Sequence, residues 1–137
     1  VDPEVALLAA TALHAGFQAT VTRVVYPALA DVDVDRWRPA HEAHSRRISL
    51  VVLVVYAALV AACCWVLVDG PRTPAAYTAL TGAALAGLTT AAVAAPTHGA
   101  LGRGPTDALV RRLLVADRVR LLGAVVALGG ATVLVTG

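Results

Sequence analysis

The chain has 137 residues, 58% of them hydrophobic, with a formal net charge of +2. That length holds one domain, and soluble domains carry only about 45–50% apolar residues, so the composition excludes an ordinary soluble protein and points to a bilayer. So small a charge, without basic runs interleaved with aromatics, gives no footprint for nucleic acid.

All eleven basic residues are Arg. With so much Ala, Val and Gly, this reads as the coding bias of a GC-rich bacterium of actinobacterial type, and hence a bacterial inner membrane. The chain begins with Val rather than Met, which suggests a trimmed start residue or short leader. Asp2 and Glu4 stand where a signal peptide would carry positive charge.

A helix needs about 20 apolar residues to cross the hydrocarbon core. The first such stretch runs over about 5–30 and contains His14 near its middle. An ionisable group at that depth is costly and belongs against a bundle interior or a wet cavity. Thr11, His14, Gln18, Thr22 and Tyr26 recur at helical spacing, so one face of this span is polar. That stripe predicts the wall of an internal cavity opening toward one membrane face.

Residues 31–47 are charged and read as a connecting loop. Asp31, Asp33 and Asp35 alternate like the start of a calcium loop, but the Gly and closing Glu of that motif are missing, which leaves a solvated segment. The second span, 48–68, is uncharged throughout. Its neighbouring cysteines, Cys63 and Cys64, read as small inert hydrophobes, because adjacent cysteines strain a disulfide and no zinc spacing is present. Gly70, Pro71 and Pro74 mark a tight turn. The third span covers about 75–95, and the Gly- and Pro-containing stretch 97–107 reads as a loop. The last span, 109–136, begins as an amphipathic helix that enters the membrane near Asp117. There Asp117 and Arg120 share a face suited to an ion pair. The sequence shows no internal repeat. Together these segments predict one all-α transmembrane domain over 1–137, an integral membrane four-helix bundle. Gly82, Gly87, Gly129 and Gly130 permit close helix packing, within one chain first and between copies of a homo-oligomer second.

Arginine counts set the orientation. The first connection carries Arg36, Arg38, Arg46 and Arg47; the third carries Arg103, Arg111, Arg112, Arg118 and Arg120; the second has only Arg72. The positive-inside rule places the two Arg-rich connections in the cytoplasm and both termini outside.

Three of the four histidines gather at that same level. His41 and His44 are spaced i, i+3, and His98 follows Pro96 at the end of span three. Imidazoles at such spacing can converge on one ion, and imidazole suits copper or iron. We therefore read His41, His44 and His98 as candidate metal ligands, with a cofactor-free site as the alternative. His14, Gln18 and Tyr26 are the candidate catalytic and pocket residues.

Five segments carry a family resemblance: H-A-G-F-Q at 14–18, V-V-Y-P-A-L-A at 24–30, H-E-A-H-S-R-R-I at 41–48, A-P-T-H-G-A-L at 95–101 and L-L-V-A-D-R-V-R at 113–120. This set resembles small bacterial four-helix membrane proteins related to the anthrone-oxygenase-like family. The family's Tyr-Pro, H-x-x-H and P-x-H are matched by Tyr26 and Pro27, His41 and His44, and Pro96 and His98. Its Asn-Trp-x-Arg at the last span reads here Asp117-Arg118-Val119-Arg120, keeping only the Arg. The resemblance implies a membrane oxygenase or oxidoreductase acting on a lipophilic small molecule, some members needing no cofactor. The competing expectation is a non-enzymatic metal- or ligand-binding membrane protein or accessory subunit. A transporter ranks third, because four short spans without inverted repeats make a poor transport unit.

Overall fold

A computed structural model describes residues 2–137, which form four long helices, each long and apolar enough to cross a membrane. These are α1 (Pro3–Ala30), α2 (Val34–Asp69), α3 (Pro74–Leu101) and α4 (Asp107–Thr136). Short connections make an up-down bundle, as expected for an all-α membrane domain. Thr73 caps α3 by accepting from the Ala76 N–H at 3.2 Å, and Thr106 caps α4 by accepting from the Leu109 N–H at 3.2 Å.

Two boundaries differ from the sequence reading. The segment 31–47 is not a loop, because α2 starts at Val34 and runs unbroken through the charged residues. Hydropathy ends where charge begins, but a helix need not. Pro39 lies inside this helix, in its second turn, and Glu42 pairs with Arg46 at 2.9 Å on the exposed side. Similarly, α3 continues past residue 95 to Leu101, leaving only 102–106 as loop.

The extension of α3 depends on a local widening of the helix. Proline has no N–H and its ring collides with the carbonyl four residues back. Upstream of Pro27 and of Pro96 the backbone relaxes into a π-helical turn, Val21–Val25 in α1 and Thr90–Ala94 in α3. In each helix a single residue then separates the π turn from the proline. The two helices also share a length of 28 residues and a proline in the first turn. The chain thus repeats a layout that its side chains do not reveal.

The packing is uneven around the bundle. α4 packs intimately on α3 and also on α1, α1 packs on α2, and the backbones of α2 and α3 stay apart. The α3–α4 seam brings backbones together. A Cβ placed on Gly82 would lie 2.6 Å from the Gly123 carbonyl oxygen, one on Gly123 2.7 Å from the Gly82 oxygen, and one on Gly130 2.5 Å from the Ala79 nitrogen. Ala76, Ala79, Ala83, Ala127 and Ala131 complete this dry seam. Small residues let helix backbones approach in lipid, where dispersion replaces water-driven burial. Gly87 and Gly129 belong to a different surface, since a Cβ on either meets nothing within 4 Å.

Candidate functional site

The polar residues left inside the bundle form three levels. The first lies at the charged end. Trp37, His41 and His44 fall on one stripe of α2, which exists because α2 begins as early as Val34. Trp37 Nε1–H donates to the Leu101 carbonyl oxygen at 2.8 Å and ties the start of α2 to the end of α3. The His41 ring stacks on Trp37 at 5.7 Å, and His98 lies against both His41 at 4.5 Å and His44 at 5.3 Å. His41 Nε2 and His98 Nδ1 share a hydrogen bond of 3.0 Å.

The three histidines expected to meet do meet, but as a stack of rings. The lone pairs of an imidazole lie in its plane. Rings stacked within 23° of parallel, such as His44 and His98, send those lone pairs along side-by-side planes. His41 meanwhile directs its Nε2 at His98. Among the described residues no three His, Cys, Asp or Glu side chains are arranged to hold one ion. The expectation that His41, His44 and His98 converge on one metal thus meets a stack in this geometry. His44 Nε2 and His98 Nε2 are buried without a protein hydrogen-bond partner.

The second level is a buried ion pair. Asp117 is 2% exposed and Arg120 is 6% exposed, both on α4. One oxygen, Asp117 Oδ1, accepts from Arg120 Nη2 at 2.9 Å and from Gln18 Nε2 at 2.7 Å. The same Arg120 nitrogen donates to Tyr26 Oη at 3.3 Å, and the guanidinium lies 5.7 Å from the Tyr26 ring centroid. A charge pair removed from water is tolerable only when both partners are well hydrogen-bonded, and Gln18 and Tyr26 help supply those bonds. The network therefore fixes α1 against α4. Arg23 and Arg118 are exposed.

The third level is deeper. His14 is fully buried, with neither ring nitrogen partnered, and its ring meets the edge of Tyr56 at 5.0 Å and 71°. Tyr56 Oη and Thr90 Oγ1 lie 2.6 Å apart. The Thr90 hydroxyl donates its single proton to the Ala86 carbonyl at 2.8 Å. Tyr56 must therefore be the donor toward Thr90, which leaves its own oxygen free to accept.

These levels border a cavity of about 330 Å³ whose walls come from all four helices. Phe17, Val21 and Tyr26 belong to α1, His44 to Tyr56 to α2, Thr90 to His98 to α3, and Arg120 to α4. Of the residues expected at a site, Tyr26, His44 and His98 line the cavity. Gln18 stands behind it through Asp117, His14 behind Tyr56, and His41 behind His98.

Thr11, His14, Gln18 and Tyr26 are all buried, as the polar stripe requires, whereas Thr22 is only half-buried. The π turn explains the difference. An extra residue enters the turn, so the inward position after Gln18 passes to Val21 and then to Tyr26. Thr22 instead donates to the Gln18 carbonyl at 2.9 Å within its own helix.

Tyr56, Thr90 and Trp37 were not singled out from the sequence, although Tyr56 is the sole tyrosine in the apolar run 48–68. No protein-family model matches the chain, and no curated protein or solved structure proves similar to it.

Proposed function

We propose that this protein is a membrane-embedded oxidoreductase of the oxygenase kind, which oxidises a lipophilic small molecule in the cavity beside the histidine stack. The observation that supports this reading best is the convergence of imidazole, phenol and guanidinium groups from four helices on one apolar-walled space. Pockets of this composition, mostly apolar with a few placed polar groups, are the usual form of a small-molecule site.

The chemistry follows from the groups present. His98 Nε2, buried and unpartnered, serves as the base that takes a proton from an activated C–H of the substrate. Arg120 and the Tyr26 hydroxyl hold the negative charge that develops on the adjoining oxygen. The carbanion adds dioxygen, the resulting peroxide recovers the proton, and loss of water leaves a carbonyl. An activated methylene and one dioxygen thus become a ketone and one water. His41 relays protons between His98 and the charged end through their shared hydrogen bond. Resemblance to anthrone-oxygenase-like proteins fits this reaction class, and the Arg-rich connections favour a cytoplasmic position for this end in a bacterial inner membrane. A copper- or iron-dependent route would draw on His41, His44 and His98, and it requires the His41–His98 bond to open so that the rings turn to one ion.

The test is oxygen uptake by the purified protein in lipid nanodiscs with a tricyclic anthrone-type ketone. Turnover should fall about 100-fold or more in His98→Ala, the usual contribution of a general base. Stimulation by added copper or iron, lost in both His41→Ala and His44→Ala, would establish the metal route. Stabilisation by the ketone without oxygen uptake would overturn the enzymatic reading in favour of a ligand-binding membrane protein.

A further inference from the structure

α2 and α3 are joined by a short turn, yet their backbones stay apart and meet mainly through side chains toward the charged end. Between them, beyond Tyr56, lies a second hollow of about 440 Å³. Its walls are Leu59, Cys63 and Leu67 of α2 and Leu80, Ala84 and Gly87 of α3, and its surface is almost wholly apolar. Tyr56 lines both this hollow and the polar cavity. The two hollows therefore adjoin at Tyr56, where its bond to Thr90 crosses the seam, and together they line a cleft between α2 and α3, polar toward the charged end and apolar beyond. The apolar part, from Tyr56 to Leu67, extends about 16 Å at about 1.5 Å of rise per residue.

We infer that this cleft is a lateral portal, open to the lipid, which admits an elongated lipophile with one polar end. The polar end reaches Arg120, Tyr56 and His98, and the apolar tail lies between α2 and α3. This rests on the cavity being the reactive site, as proposed above, and adds the substrate's shape and its route of entry.

Three observations select that occupant. First, the apolar half lies deep within spans that cross the bilayer, where lipophiles are the abundant mobile molecules. Second, the polar half contains buried groups with unmet hydrogen-bonding capacity, namely Arg120 Nε, His98 Nε2 and the free acceptor side of Tyr56. A plain alkyl chain would leave these unmet, and an occupant with a polar end would not. Third, the α3 wall is recessed: a Cβ on Gly87 meets nothing within 4 Å, in contrast to the filled seam at Gly82. The tail gains little from the hydrophobic effect, because it leaves one apolar medium for another. Shape and dispersion must select it.

The experiment uses two phenols carrying a photoreactive diazirine, one on a propyl and one on a dodecyl chain, with the full chain in nanodiscs. Crosslinks from the dodecyl compound are expected on 59–67 and 80–88, and those from the propyl compound around Tyr56 and Thr90. Gly87→Leu, with Ala84→Leu as a second variant, fills the apolar half only. Each should weaken the dodecyl phenol at least about tenfold, equivalent to about 1.4 kcal/mol, and leave the propyl phenol within about twofold. A melting temperature near that of the unsubstituted protein verifies folding. Dodecyl crosslinks spread evenly over the lipid faces of α1 and α4, or equal binding of both phenols in both variants, would overturn the portal. Oxygen uptake is a separate readout: tail crosslinks in the cleft without turnover leave the portal standing and remove the oxygenase.

Discussion

The seams on the two sides of α3 are built on opposite principles. Against α4, α3 presents Gly82, Ala79 and Ala86, and the backbones meet so closely that a single methyl group has no room. Against α2 it presents Gly87 and Ala84, again small residues, beside the larger Leu80, yet here the space stays open. Small residues alone therefore do not close a helix pair in lipid. The α3–α4 seam closes because glycine on one helix faces glycine or alanine on the other. The α2–α3 seam stays apart because Tyr56 and the ring stack at the charged end act as spacers. One seam stabilises the bundle and the other is free to bind.

That contrast can be broken most severely at the ion pair on α4. Asp117→Ala leaves the Arg120 guanidinium buried without its counter-charge, and removal of one partner from such a pair costs about 3–5 kcal/mol. The variant should fail to fold or melt far below the parent in detergent. Asp117→Asn keeps a hydrogen-bond acceptor for Gln18 and should lose less.

Next come the glycines, which carry their own controls. Gly82→Ala and Gly130→Ala insert a methyl group against backbone and should each cost about 1–3 kcal/mol, the usual range for overpacking. Gly87→Ala and Gly129→Ala, one of them a direct neighbour of Gly130, meet open space and should be neutral in the same melting experiment. Equal effects within the two pairs would mean that the closed and open seams are not different in kind.

Trp37→Phe sharpens the comparison at the charged end. It keeps most of the ring stack but removes the hydrogen bond to Leu101, for a loss of about 1 kcal/mol. Tyr56→Phe should have a similarly modest effect on stability, about 0.5–1.5 kcal/mol, since Thr90 keeps its bond to Ala86. Its larger consequence should be on binding of the propyl phenol, because the polar end of the cleft loses an acceptor.

The four spans, their order and the polar face of α1 were legible in the sequence because hydropathy and helical period report burial directly. What was lost follows from effects that hydropathy does not register. The spacing of His41 and His44 was plain, but Trp37 on the same stripe was hidden because a charged segment reads as loop, although α2 runs straight through it. Asp117 and Arg120 could be paired by their spacing, but their place in the core could not be seen. That depends on Gln18 and Tyr26, which approach from a helix nearly a hundred positions away in sequence. Thr22 was assigned to the inner face because a regular 3.6-residue period was assumed where a π turn intervenes. His41, His44 and His98 were correctly gathered at one level, while the orientation of their rings lies beyond what spacing can convey.

The two π turns have a consequence for how this chain can change. Each is held open by one residue more than an α-helix needs, immediately ahead of a proline. Deleting a residue within 21–25 would let α1 close into a regular helix and turn everything before it by about 100° relative to Tyr26. His14 and Gln18 would then leave the bundle interior with no substitution made at either. Over these five-residue stretches the number of residues, and not only their identity, sets which side chains face the interior.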